Sequence, residues 1–288
     1  MIKNLSISKF VLFILATMAL IGCGSWPQLS NTASEPTPMP ARPDAAKQSE
    51  QLPFGNPSNA GQNDKDNYLL MKSASAISYN NSRGTANWIQ WKTTKELLGD
   101  SIPRPDFEPD MDLPNAFRRI TTRDYIGTGY QRGHLVPSAD RFGDPEANNE
   151  TFLMTNIVPQ LGALNEFPWQ KLESYVRSQV RNGRYNAYQI AGVYGEKGFL
   201  KHRITVPANC WKVIAFVRRG DPPETINART RIITVDMPNI NGIENKPWET
   251  YRTTIRSIEE RTGLDFFAWM PREEQDVIET RVEMSNKN

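Results

Sequence analysis

The sequence predicts an α+β fold with a central antiparallel β-sheet flanked by helices. Short aromatic and β-branched runs, which are typical of strands, recur along the chain with turn residues between them. The helical segments do not alternate regularly with these runs, which argues against a parallel, doubly wound sheet. No internal repeat is visible, and a chain of 288 residues is long enough to bury one substantial core.

The predicted strands form two groups. Apolar runs at residues 68–71, 76–79 and 87–92 surround the turn-like sequence Asn-Asn-Ser-Arg-Gly at 80–84, which predicts an antiparallel meander. Further strands are predicted at residues 188–194, 210–217 and 231–235 from their length and their β-branched or aromatic content. Cys210 is expected to be a buried residue of one of these strands.

Two segments show helical periodicity. Residues 169–182 end before Gly183, and their apolar side chains recur on one face. A second helix is predicted from residue 248 to residue 262, ending at Gly263, with Tyr251, Ile255 and Ile258 facing inward.

The N-terminus has the features of an export signal. Lys3 and Lys9 flank or precede an apolar stretch at 10–21 that is too short for a comfortable bilayer span. The following Leu-Ile-Gly-Cys at 20–23 resembles the lipobox of bacterial lipoprotein signals, which implies that Cys23 becomes the lipidated first residue. An ordinary signal peptide cleaved nearby, or an uncleaved anchor, is the alternative. Each version places the domain outside the cytoplasm, and the lipoprotein version anchors it to a membrane in the periplasm or at the cell surface.

Composition divides the chain into three parts. Residues 1–23 are predicted to be the signal with its lipidated cysteine, residues 24–64 a disordered Pro-rich tether, and residues 65–288 the folded domain. Residues 52–60 contain apolar side chains that could belong to the domain, so the boundary between tether and domain is defined only to within several residues. With Cys23 assigned to lipid, Cys210 remains alone, so no intrachain disulfide can form.

Charge is nearly balanced, with 34 Lys and Arg against 32 Asp and Glu. Proteins that coat many phosphates are usually strongly basic, because each neutralised phosphate releases counterions. A nucleic-acid enzyme of this composition would therefore have to concentrate its positive charge at one cleft.

Only two histidines are available for imidazole chemistry near neutral pH. His134 lies in the polar, glycine-flanked segment 128–141, which predicts a loop where a base can meet substrate. His202 lies in the charged connector 195–203 and is expected to be a surface residue.

Polar residues around the first helix are further candidates. Asn165 precedes the helix and could either cap it or present its amide oxygen to a hard cation. Glu173 and Arg177 are four residues apart and share a helix face beside the apolar stripe; a solvated surface pair is the alternative interpretation.

These segments together resemble a known family. The order Arg-Gly-His at 132–134, Thr-Asn-Ile-Val-Pro-Gln at 155–160, Leu-Asn at 164–165 and Trp-Gln-Lys-Leu-Glu at 169–173 is similar to the DNA/RNA non-specific endonucleases of the His-Me finger, or ββα-metal, group. Segments at 55–60, 87–91 and 104–110 are also similar, in the same order, so the resemblance covers about residues 52–270.

The resemblance implies a hydrolase that cuts DNA and RNA without sequence specificity, using Mg²⁺, with Mn²⁺ as a candidate substitute. It implies that His134 is the general base, that Asn165 is the one direct protein ligand of Mg²⁺, and that Glu173 holds water around the ion. The remaining implied roles are support of the site by Asn156, phosphate contact by Arg104 and Arg177, and nucleic-acid binding by Arg132 and Arg177.

These residue types suit phosphodiester hydrolysis. An imidazole with a pKa near ~6.5 can take a proton from water at neutral pH. Mg²⁺ prefers oxygen ligands and keeps most of its water, and arginine offers paired donors to a phosphate as charge develops.

Gln131 departs from the family pattern, in which Asp commonly precedes Arg-Gly-His. The amide keeps hydrogen-bonding capacity but removes a negative charge near His134. This departure and the balanced charge leave a second hypothesis open, a catalytically weakened nucleic-acid-binding lipoprotein of the same fold. A phosphodiesterase acting on small molecules is a third, and it would need a closed pocket. The preference between DNA and RNA, a homodimer and an inhibitor protein are also left open.

Overall fold

The computed structural model describes residues 51–283. Ten strands lie within this range: β1 Tyr68–Met71, β2 Ser75–Asn80, β3 Thr85–Thr93, β4 Gln131–His134, β5 Ile157–Gln160, β6 Tyr185–Tyr194, β7 Phe199–Leu200, β8 Ile204–Thr205, β9 Asn209–Arg218 and β10 Arg231–Pro238. The helices are α1 Lys95–Leu98, α2 Pro145–Glu150, α3 Gly162–Leu164, α4 Gln170–Arg181, α5 Ile255–Thr262 and α6 Arg272–Thr280, with a π-helical segment Asn165–Trp169 joining α3 to α4.

A six-stranded sheet of order β1-β2-β3-β6-β9-β10 forms the centre of the fold, and every neighbouring pair in it is antiparallel. All six strands predicted from the sequence lie in this sheet, most of them one to three residues longer than expected. The predicted fold class, an α+β structure with a central antiparallel sheet, is therefore confirmed.

Buried clusters of side chains cover both faces of the central sheet. Side chains of successive strand residues point to opposite faces, so chain neighbours belong to different clusters. Trp88 and Ile190 belong to one buried cluster, while their chain neighbours Ile89 and Ala191 belong to another. Helix α4 packs its apolar stripe into the second of these clusters, and α5 and α6 cover the opposite face. The interior strands β6 and β9 are consequently buried along almost their whole length.

The folded part begins earlier than the predicted boundary at residue 65. Phe54 is fully buried, its ring lies 5.2 Å from that of Phe267, and its backbone N–H donates to Oε1 of Gln90 at 3.1 Å. These long-range contacts assign residues 51–64 to the domain, because a residue buried this completely is part of the core.

The second predicted helix, 248–262, is wrong in its first half. Residues Trp248–Tyr251 form a short 3₁₀ turn, and Arg252 pairs with Val235 at the edge of the sheet. Helix α5 begins only after Thr254, whose hydroxyl accepts from the N–H of Ser257 as an N-cap. Helix α6 follows and was not predicted.

The N-terminal predictions fall on undescribed residues. The export signal, Cys23 and residues 24–50 of the tether lie outside the described range. None of the helices within residues 51–283 combines the length and apolarity needed to cross a bilayer. Cys210 is fully buried in β9, and His202 is exposed in the turn between β7 and β8, as the sequence predicted.

Candidate active site

A two-stranded ribbon and a helix carry the candidate site. Strands β4 and β5 pair antiparallel, with His134 opposite Ile157, and the chain then continues through the π-helical segment into α4. The indole Nε1 of Trp169 donates to the backbone carbonyl of His134 at 3.3 Å and so ties the helix to the ribbon. This is the ββα arrangement that the sequence resemblance implied.

The prediction that His134 lies in a loop is wrong, because it is the last residue of strand β4. A side chain at position 133 would force Gln160 on the paired strand to move, since a Cβ on Gly133 would lie 2.0 Å from its Oε1. The glycine that indicated a loop is instead the residue that allows the ribbon to close next to the histidine.

The imidazole of His134 is packed between two aromatic rings. The ring centroids of Phe107 and Phe152 lie 5.3 and 5.1 Å from that of the histidine, and the buried Nε2 has no hydrogen-bond partner among residues 51–283. Burial, and then the nearby charges of Arg104 and Arg132, lower the pKa of His134 to about 3. The imidazole is therefore neutral near neutral pH, in the form that accepts a proton.

Two arginines stack on the two aromatic rings that enclose His134. The guanidinium carbon of Arg104 lies 5.1 Å from the ring centroid of Phe152, and that of Arg132 lies 4.6 Å from the centroid of Phe107. Positive charge is therefore gathered on both sides of the histidine, although the chain as a whole is nearly neutral.

Most of the predicted site residues meet in one open cleft of about 430 Å³. Its lining includes His134, Arg104, Asn165, Glu173 and Arg177. A neighbouring open cleft of about 510 Å³ shares Arg104, Asn165 and Glu166 with the first cleft. Its lining also includes Phe107, Tyr130, Gln131 and Arg132. An extended ligand could lie along both clefts.

Asn165 does not cap a helix with its side chain. Its Nδ2 donates to Oε1 of Gln131 at 2.7 Å, and its Oδ1 accepts no hydrogen bond from any residue in the described range. The cap alternative therefore does not fit the geometry, and Asn165 lines both clefts.

Glu173 and Arg177 do not form the surface pair that was the alternative interpretation. Arg177 is only 8% exposed and donates to Oδ1 of the buried Asp140 at 3.3 Å. Glu173 has only 11% of its side chain exposed and pairs instead with Lys212, whose Nζ lies 3.5 Å from its Oε1. Burial raises the pKa of Glu173, and the charges of Lys212 and Arg177 oppose this rise.

Lys212 was missed by the sequence analysis although it supports the site. It is fully buried in β9, and its Nζ lies 4.4 Å from the ring centroid of Trp169 and 5.1 Å from that of Trp91. A lysine in the middle of an otherwise apolar strand is the signal that could have found it, because lysine is almost never buried without a partner.

Asn156 lies beneath the ribbon and outside both clefts. Its Nδ2 donates to the carbonyls of Val136 and Thr151 at 2.9 and 2.8 Å, and its Oδ1 accepts from the N–H of Val136 at 2.9 Å. These three bonds hold the backbone that follows His134. Asn156 therefore supports the backbone next to His134 and lines neither cleft.

The donor set of the cleft fits a hard divalent cation. The free amide oxygen of Asn165 and the carboxylates of Glu166 and Glu173 face the same space, and Mg²⁺ prefers such oxygen ligands. Within residues 51–283 no group of three or more His, Cys, Asp or Glu side chains is gathered for a metal. An ion held here would therefore take most of its ligands from water and substrate, as Mg²⁺ usually does.

Comparisons with known proteins agree with this geometry. A family model described as DNA/RNA non-specific endonuclease matches residues 54–273. A nuclease of Nostoc sp. is 41% identical over 239 residues, which cover 82% of this chain and 86% of the relative. Human mitochondrial endonuclease G is 30% identical over 231 residues, covering 75% of this chain and 73% of that protein. The crystal structure of the EndoG/EndoGI complex contains a chain of similar fold, with a TM-score of 0.63 and 24% identity over 72% of this chain and 88% of that one.

Proposed function

Because this chain belongs to the DNA/RNA non-specific endonuclease family and is a hydrolytic nuclease, we propose that it cuts DNA and RNA by Mg²⁺-dependent hydrolysis with His134 as general base. The observation that carries this proposal is a neutral imidazole in the same cleft as a free amide oxygen and two arginines.

The base function of His134 follows from its surroundings. Because Nε2 is enclosed, we assign the proton transfer from the attacking water to Nδ1. A bound phosphodiester brings negative charge beside the ring and offsets the charges of Arg104 and Arg132, both of which lower the pKa of the imidazole. The pKa of His134 therefore rises when substrate binds, so the base strengthens in the complex in which it is needed.

The arginines bind the phosphate in this proposal. Arg104 and Arg132 are held over aromatic rings, and their guanidinium groups donate paired hydrogen bonds to phosphate oxygens. Arg177 already binds Asp140 and Ser174 and therefore contributes mainly its charge to the cleft wall.

Asn165 is the residue that would hold the divalent cation, with Glu173 accepting hydrogen bonds from nearby water. When bound, the cation would neutralise charge on the phosphodiester and on the leaving oxygen. Lys212 and Arg177 oppose the rise in the pKa of the buried Glu173 and so favour its ionised form. Mn²⁺ accepts the same oxygen ligands and is proposed as a substitute.

Low sequence specificity is expected from the same contacts. The groups that line the clefts are suited to phosphate and sugar, which are the same along any sequence, whereas sequence is read from base edges. The open clefts also disfavour the small-molecule phosphodiesterase, which would need an enclosed pocket.

The proposal includes export of the chain and its attachment to a membrane through a lipid on Cys23, supported by the lipobox-like sequence at 20–23. A protein inhibitor is added to the proposal by analogy of fold with EndoG, which was solved in complex with EndoGI.

Plasmid and RNA digestion by the purified full-length chain tests the function. We expect cleavage with Mg²⁺ and none with EDTA, and we expect His134→Ala to lose at least about a thousandfold in rate, within the range for removal of a general base. His202→Ala, which changes the other histidine, is the matched control and should cleave like the native chain. If the folded native chain binds DNA and cleaves neither DNA nor RNA with Mg²⁺ or Mn²⁺, the binding-only alternative is correct.

A further inference from the structure

Three polar side chains at the edge of the cleft form a chain of hydrogen bonds. Nδ2 of Asn165 donates to Oε1 of Gln131 at 2.7 Å, and Nε2 of Gln131 donates to Oε1 of Glu166. Gln131 begins strand β4, whereas Asn165 and Glu166 are adjacent in the π-helical segment, so the bonds connect the ribbon to the helical part of the site.

The direction of these bonds is determined by Glu166. An ionised carboxylate can only accept hydrogen bonds, whereas an amide can face a neighbour with either its oxygen or its NH₂ group. Gln131 must therefore turn its NH₂ group to Glu166 and its oxygen to Asn165. Asn165 must then turn its own NH₂ group to Gln131, which leaves its oxygen for the cleft.

This direction matters because the two ends of the Asn165 amide have opposite effects on a cation. The oxygen is a ligand, and the NH₂ group in the same place repels a positive ion. The two orientations have nearly the same shape, so packing alone discriminates poorly between them. A partner that can only accept, placed at the other end of the chain of bonds, selects one orientation.

We infer that Glu166 is a positioning residue of this nuclease: through Gln131 it orients the amide of Asn165 so that the oxygen, and not the NH₂ group, faces the cation. The inference rests on the proposed function, because it presupposes a cation at Asn165. It also accounts for Gln131, where the family pattern has a carboxylate: an aspartate at 131 could accept from Asn165 directly, whereas a glutamine needs a further acceptor to set its own direction.

The packing around Gln131 supports this arrangement. A Cβ on Gly162 would lie 3.1 Å from Nε2 of Gln131 and 3.9 Å from Oε1 of Glu166, so the amide and the carboxylate lie directly over the glycine. The backbone N–H of Asn165 donates to the carbonyl of Leu161 at 2.9 Å. This bond fixes the main chain at Asn165, so the direction of the side-chain amide depends on its own hydrogen bonds. Glu166 is itself exposed, so its substitution should leave folding nearly unchanged.

Binding of Mn²⁺ without nucleic acid, measured by titration calorimetry on the full chain, tests the inference in a double-mutant cycle. Glu166→Gln is made in the native chain and again in a chain carrying Gln131→Asp, where the aspartate orients Asn165 without help. In the native background we expect Glu166→Gln to weaken Mn²⁺ binding roughly tenfold, because a charge is lost and the wrong amide orientation becomes populated. In the Gln131→Asp background only the charge is lost, and we expect Glu166→Gln to weaken Mn²⁺ binding about threefold or less.

The outcomes separate the two effects. Equal losses in both backgrounds would mean that Glu166 acts only through its charge, and no loss in either would mean that it does not act on the cation; both results overturn the inference. Asn165→Ala is the control for the site. If the native chain binds Mn²⁺ no better than Asn165→Ala, the cation site of the proposed function is refuted together with the inference, whereas retained binding with equal losses refutes the inference alone.

Discussion

Lys212 lies directly beneath Glu173, with its fully buried Nζ 3.5 Å from Oε1 of the glutamate and 4.4 Å from the ring centroid of Trp169. The pair joins the central sheet to helix α4 at the floor of the cleft. Burial lowers the pKa of Lys212 and raises that of Glu173, and each charge partly offsets the effect of burial on the other. The carboxylate that faces the proposed cation thus depends on a cation below it.

Lys212→Met is expected to destabilise the domain by about 3 kcal/mol, because it leaves Glu173 as a buried charge without its partner. The double variant with Glu173→Gln should recover at least half of this loss, since the remaining amide carries no charge. Urea unfolding of the native chain, of Lys212→Met and of the double variant measures both differences in stability. An equal loss in the single and double variants would contradict the pairing.

The pKa of about 3 for His134 predicts that its imidazole does not titrate near neutral pH in the free protein. The NMR signals of the His134 ring, identified by their absence from His134→Phe, should show no inflection between about pH 8 and about pH 4. An inflection of these signals within that range would show that the pKa of His134 is not lowered.

The lowered pKa of His134 also makes the stability of the folded chain depend on pH. Because the pKa of His134 in the folded state lies below its value of 6.5 in the unfolded state, the unfolded state binds more protons between these values. The native chain should therefore lose stability as pH falls from about 6.5 towards 3, and His134→Phe should lose less over that range in urea unfolding. Parallel losses in the two proteins would contradict the shift.

Gly192 in strand β6 is expected to tolerate no side chain. A Cβ there would lie 2.2 Å from the backbone oxygen of Asn87 and 2.6 Å from Cζ2 of Trp211. Gly192→Ala should cost about 3 kcal/mol through overpacking. Gly61→Ala is the matched control, because nothing lies within 4 Å of its added Cβ, and thermal melts should leave it within about 0.5 kcal/mol of the native chain.

Glu279 of helix α6 predicts a loss of stability at alkaline pH. It is fully buried, and burial followed by the charge of Glu259 raises its pKa to about 8. The folded state then binds more protons than the unfolded state above the ordinary value of 4.5, so this contribution to stability falls as pH rises through about 8.

Glu279→Gln should therefore melt at a higher temperature than the native chain at about pH 9, and the difference should shrink at about pH 6. Glu273→Gln, on the exposed face of the same helix, is the control and should follow the native chain at both values. If Glu279→Gln also follows the native chain, the shifted carboxyl does not contribute to stability.

Local sequence patterns were enough to find the six strands of the central sheet and helix α4, because alternation and helical periodicity describe which side of an element is buried. The motif resemblance also named residues that do meet in one cleft, among them His134, Asn165 and Glu173. Patterns failed where a local signal was ambiguous: the glycine next to His134 suggests a loop but permits a ribbon, and Thr254 caps a helix inside a longer periodic segment.

By itself the sequence determined the α+β class, the family to which the chain belongs and the residue types available for phosphodiester chemistry. Only the tertiary structure decided the protonation, pairing and orientation of these side chains. The pKa of His134 depends on Phe107, Phe152 and two arginines, and Glu173 depends on a lysine 39 residues away in sequence. The orientation of the Asn165 amide depends in the same way on a strand 34 residues earlier. Burial and charge pairing are sums over neighbours in space, and the order of residues along the chain does not specify those neighbours until the sheet and the helix have packed together.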